Sequence, residues 1–201
     1  RELRHNTGER RCVMIGNWQK NLTLQARHLL AVFLLCLAAT TNAVRADTST
    51  DDLFDALKNA PNEKEARLIE TEIWEAWIDA APTPELREQV ENAMRMRGEY
   101  NYQGAREVLD KCVAEAPDYP EGWNQRAFIL FLQGEYEASL ADIKRVLELE
   151  PRHFGALSGQ AMIYITQGRA ELAQKTLRDA VNVHPYLKER ALLIKPKGVD
   201  L

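Results

Sequence analysis

Residues 120–151 read PEGWNQRAFILFLQGEYEASLADIKRVLELEP. The stretch encodes two amphipathic helices with a break between them. Counted from Pro120, Trp123, Ala127 and Leu130 fill the fourth, eighth and eleventh positions. Residues three and four apart share a helix face, so these form one stripe. Gly134 follows, where a left-handed residue stops the helix. Ser139, Ile143 and Val146 form the stripe of a second helix, and Pro151 prevents its continuation. Small Ala127 and Ser139 sit where the helices must approach closely. The same arrangement recurs from Phe154, with Leu157, Ala161, Tyr164, Gly168, Ala173, Leu177, Ala180 and Pro185 at the equivalent positions. Pro117, Pro151 and Pro185 are spaced 34 residues apart. A constant period of this size marks stacked helical repeats. No segment alternates as a strand does.

Upstream, Leu86–Tyr119 keeps Ala93, Met96, Ala105, Leu109, Cys112 and Pro117 in register. Gln89 replaces the large fourth residue, and Gly98 falls two positions before Tyr100, the glycine position of the later repeats. Two explanations stay open: a turn reshaped around Gly98, or a second helix longer by two residues. Cys112 falls where a small buried residue belongs and is expected to fill the core. Over about residues 86–187 the chain resembles the tetratricopeptide repeat family, on the positions just quoted. The resemblance implies an all-α fold. It would be a right-handed superhelical stack of antiparallel helix pairs, about three repeats (86–119, 120–153 and 154–187), with helical end caps.

The flanks fit that plan. Asp51 to Ala60, DDLFDALKNA, is a short amphipathic helix that Pro61 ends. Asn62 with Glu65 caps a longer helix on which Leu68, Ile73, Trp77 and Ile78 recur on about one face. Residues 47–85 are expected to close the N-terminal end of the stack. Thr83 and Pro84 open the next helix, and Asp118 with Glu121 fits a capping box around Pro120. After Pro185, YLKERALLI is expected to be a short capping helix, with residues 188–201 ending in a loose tail.

Residues 1–46 differ in kind. They hold 7 Lys/Arg and 2 Asp/Glu, against 19 and 28 in residues 47–201. Leu29 to Ala39 is an apolar run of 11 residues, preceded by Lys20, Arg27 and His28 and followed by small residues. That order is a secretory signal peptide, and the run falls short of the roughly 20 residues of a spanning helix. Val44 and Ala46 place the cut near Ala46, before Asp47; a cut after Ala43 is the alternative. A membrane anchor, a lipid anchor on Cys36 and a mitochondrial presequence fit less well. Met14 is the first methionine, and a start there leaves a signal of conventional length; the other reading is a fragment of a longer chain. The expected location is periplasmic or secreted. Cys112 then remains alone, so no internal disulfide is expected.

Chemistry is sparse. After the leader, the histidines are His153 and His184, each beside a repeat-ending proline and expected in an inter-repeat loop. They lack the further ligands that a metal site needs. No phosphate loop or nucleophile elbow occurs. An enzyme, a cofactor and a metal are therefore not expected. The sequence pI near 5.7 argues against nucleic acid as partner.

What remains is a groove. The family resemblance implies that the first helices line a concave surface, into which fixed positions point. The positions taken as the partner-binding set are Val90, Met94, Asn124, Phe128, Phe131, Leu132, Met162 and Ile165. They would form an apolar strip for a protein or peptide segment, helical or extended. Chaperone-binding relatives clamp a C-terminal carboxylate with Lys, Asn and Arg. Here the corresponding positions include Val90, Met94, Gln125, Gly155 and Gly159, so that clamp is absent. The function implied is a non-enzymatic protein-interaction module of the bacterial envelope, without a stable membrane anchor. The alternative is a structural or self-assembling component, a homo-oligomer whose strip is covered by its own residues 51–59.

Overall fold

In the computed structural model, which describes residues 49–194, the chain forms eight α-helices and one 3-10 helix, with no strand among those residues. The leader, the cleavage site and the end of the tail lie outside the described residues. The helices are α1 (Thr50–Lys58), α2 (Glu63–Asp79), α3 (Pro84–Gly98), α4 (Tyr102–Glu115), α5 (Pro120–Leu132), α6 (Tyr136–Leu149), α7 (Phe154–Thr166) and α8 (Ala170–Val183). The 3-10 helix covers Lys188–Leu192. Helices α3–α4, α5–α6 and α7–α8 form three consecutive pairs, and each first helix neighbours the next first helix.

Local signals set these boundaries. The Ser49 hydroxyl accepts from the Asp52 amide at 3.2 Å. The Asn62 Oδ1 accepts from the Glu65 amide at 3.0 Å, and its Nδ2 donates back to the Glu65 carboxylate at 3.1 Å. Thr83 Oγ1 accepts from the Leu86 amide, with Pro84 in the first turn. At Pro120 the expected capping box does not form. Tyr119 is the N-cap and Asp118 pairs instead with Arg145 at 2.7 Å. Glu121 turns inward, where it meets better donors.

The small positions pack as the stripes require. Ala127, Ala161, Ala173 and Ser139 are buried, and the Ser139 hydroxyl donates to the Ala127 carbonyl at 2.7 Å. Ala127→Leu is expected to cost roughly 1–3 kcal/mol by overpacking this seam. Glu135 is exposed and pairs with Arg106 at 2.5 Å. Such surface pairs contribute about 0–1 kcal/mol. Urea denaturation should therefore show a larger loss for Ala127→Leu than for Glu135→Ala. Equal losses would place Ala127 outside the seam.

The turns between paired helices differ in one place. Gly134 and Gly168 adopt φ +79° and +70°. In the first pair neither proposed explanation holds: Gly98 ends α3 as an ordinary helical residue, and Tyr100 takes the left-handed conformation itself, at φ 61°. A side chain there costs roughly 1–2 kcal/mol, and the Tyr100 ring is 80% exposed, meeting Tyr102 at 6.2 Å. Tyr100→Gly is expected to raise the unfolding free energy by roughly 0.5–1 kcal/mol, because relief of strain outweighs the added freedom of the unfolded chain. An unchanged or lower melting temperature would contradict this.

Helix α2 does not simply close the N-terminal end. It runs past the start of every repeat. Its C-terminal Asp79 pairs with Arg87 at 2.7 Å, and the Ile78 carbonyl accepts from the Tyr119 hydroxyl at 3.0 Å. Trp77 stacks on His153 with centroids 3.9 Å apart. Glu70 meets His184 Nε2 at 3.3 Å, and Glu63 meets Arg190 at 3.2 Å. The buried face is Ala66, Ile73 and Trp77, while Leu68 is turned out and 59% exposed. Helix α1 packs on α2 and α8. Leu53, Phe54, Leu57, Ile73 and Trp77 share one core with Phe154, Leu157, Ala180 and Leu187. The reason is burial: the apolar faces of α1 and α2 cover apolar residues of the third pair that would otherwise meet water.

Candidate functional site

Helices α3, α5 and α7 line a cavity of about 530 Å³. Its apolar wall comes from Met94, Phe128, Phe131 and Met162. Helix α2 lines it too, through Arg67, Glu70 and Trp74, and so does the segment Leu187–Glu189. Gly155 makes the close approach of α2 possible. A Cβ at that position would lie 2.5 Å from the Trp74 ring.

A buried polar network lies beside the apolar wall. Glu121 is fully buried and accepts from Gln125 Nε2 at 2.6 Å and Asn124 Nδ2 at 3.2 Å. His153, also fully buried, lies with Nε2 3.1 Å from Glu121 Oε2. His153 Nδ1 is 3.2 Å from the Ala156 amide, which can only donate. Nδ1 is therefore the acceptor, and the Nε2–H donates to Glu121. Arg97 Nη1 donates to Gln125 Oε1 at 2.6 Å, and its guanidinium lies 4.6 Å over the Phe128 ring. Burial pushes the Arg97 guanidinium below its ordinary pKa. On α2, the hydrogen bond from His184, together with Arg67, holds the Glu70 carboxyl below the usual carboxylate range, against the opposing effect of burial.

Met94, Asn124, Phe128, Phe131 and Met162 are thus brought together on the cavity wall. Leu132 and Ile165 are exposed on the same helices, outside the cavity. Val90 is a correction: it is fully buried with Leu86, Ala93 and Leu109 and cannot meet a partner. The equivalent positions of the later repeats, Asn124 and Ser158, are buried as well, so this position faces the interior in each first helix. Residues 51–59 contribute nothing to the cavity wall, so they do not cover the strip. Both histidines, expected in loops, are buried helix-cap residues that bind Glu121 and Glu70. Cys112 is fully buried, and burial pushes its thiol up to about 11. No group of three or more potential metal ligands occurs among the described residues.

Three helical pairs at a 34-residue period, with first helices lining a groove, define a tetratricopeptide repeat protein. The chain belongs to that family: the family model, a tetratricopeptide repeat, matches residues 120–153. A TPR repeat-containing protein of Rhizobium etli is 37% identical over 137 residues, 67% of this chain and 66% of its own length. The Sgt2 TPR domain from Aspergillus fumigatus is 17% identical, with TM-score 0.48, covering 60% of this chain and 91% of that one. Yeast Sti1, in a TPR2AB-domain complex with an Hsp90 peptide, is 18% identical, with TM-score 0.49, covering 71% and 57%. The repeats make the chain a protein-interaction module of a family that is typically non-catalytic.

Proposed function

We propose that the protein is an exported component of the bacterial envelope that binds a partner protein's segment in the groove between α2 and the first helices. The observation that carries this is the open apolar wall: Phe128 is 43% exposed beside Met94, Phe131 and Met162, in a cavity large enough for several side chains. Contiguous exposed apolar surface of this kind marks binding sites. A helical or extended segment with apolar residues matches the wall. No helix among the described residues is long and apolar enough to cross a membrane.

Export rests on the leader. N-terminal sequencing of the periplasmic or secreted form should begin at Asp47. A cytosolic product with its leader intact would remove the envelope from this reading. For the groove, a cross-linked pull-down from the envelope fraction should recover a partner with the natural chain and lose it with Phe128→Ser plus Met162→Gln. Recovery of the same partner by both would place binding elsewhere.

A further inference from the structure

Resting on the groove reading, we infer that the bound segment carries an internal Asp or Glu side chain that pairs with Arg97, next to an apolar residue seated on Phe128 and Met162. Arg97 is half-buried on the cavity wall, yet it forms no ion pair among the described residues. One of its N–H groups meets Gln125, and Phe128 holds the guanidinium plane. The other donors have no acceptor among the described residues within hydrogen-bonding distance. The nearest anion in the network, Glu121, is reached only through Gln125 and is already saturated by Asn124, Gln125 and His153. The other cavity cations differ: Arg67 is paired with Glu63 and Glu70, and Lys188 is exposed at 4.0 Å from Glu189. The rest of the protein is acidic, with 28 Asp/Glu against 19 Lys/Arg in residues 47–201. A partly desolvated, unpaired guanidinium in that setting is a fork shaped for one carboxylate.

The geometry favours a side-chain carboxylate over a chain terminus. The amide donors of Asn124 and Gln125 that flank Arg97 are committed to Glu121. A terminal carboxylate would find no amide clamp beside the guanidinium. A side-chain carboxylate needs no such clamp, and its neighbours in the segment can cover the apolar wall.

The test uses the full chain and two random 12-residue peptide libraries, one displayed with both ends blocked and one with a free C-terminus. Binders from the blocked library should be enriched in Asp or Glu beside Leu, Ile, Met or Phe. A synthetic binder should lose roughly tenfold or more in affinity with Arg97→Gln, as charged hydrogen bonds of this kind are lost. The acid-to-amide peptide should lose as much, and combining both changes should add little. Arg97→Lys, which keeps the charge without the fork, should fall between, and unchanged far-ultraviolet dichroism checks folding. Acid-free binders, or binders weakened by Met162→Gln but not by Arg97→Gln, overturn the inference and leave the groove reading intact. Binders from the free-terminus library alone also overturn it, in favour of a terminal carboxylate. Binders unaffected by Met162→Gln and Arg97→Gln alike, or none from either library, overturn the groove reading itself.

Discussion

Trp77→Ala is expected to lower the unfolding free energy by roughly 3–5 kcal/mol, the usual cost of emptying a large aromatic site in a core. Trp77 is buried and stacks on His153, and it also packs against Phe54, Trp74 and Phe154. Those neighbours come from α1, α2 and the start of α7, so the cavity would open where α2 is fastened to the third repeat. His153, which is bonded to Glu121, would also lose its stacking partner. Leu68→Ala, on the same helix but turned to solvent, should change stability by no more than about 0.5 kcal/mol. Urea denaturation followed by circular dichroism compares the two. Equal effects would mean that α2 is not fastened through Trp77.

Phe128→Ser with Met162→Gln should weaken partner binding by roughly a hundredfold or more while leaving helical content unchanged. Buried aromatic anchors at interfaces cost about 2 kcal/mol or more when truncated, and burial of each side chain contributes about 1.5–3 kcal/mol. Phe128 is exposed and Met162 half-buried in the free protein, so little folded-state packing is lost. The double variant should therefore melt within a few degrees of the natural chain. A collapse of the melting transition would make these residues core and remove the groove as a site.

The repeats were legible because their information is local. Ala127, Gly134, Ser139 and Pro151 each fix a seam, a turn or a stop within one helical pair, and the period repeats them. Met94, Asn124, Phe128, Phe131 and Met162 followed from the family's geometry. Val90 did not: its position faces inward in each repeat, as Asn124 and Ser158 do, and in the first repeat an apolar residue there joins the core. The wall formed by Arg67, Glu70 and Trp74 was hidden for a different reason. Its contacts join residues such as Glu70 and His184, 114 positions apart, and no period relates them. The histidines looked like loop residues for the same cause. Their burial depends on α2 lying over the repeat starts. One signal was present: Gly155, next to the helix start, is the opening into which Trp74 fits.

The proposed partner segment lies between α2 and the first helices. The most direct measurement places a photo-reactive amino acid at Met162, inside the groove, and separately at Leu172, exposed on α8. Each full-length variant is irradiated in the envelope fraction, and the cross-linked peptides are mapped by mass spectrometry. The Met162 probe should attach to one contiguous segment of a partner, and the Leu172 probe should not. Attachment from Leu172 alone, or from neither site to any common segment, would contradict it.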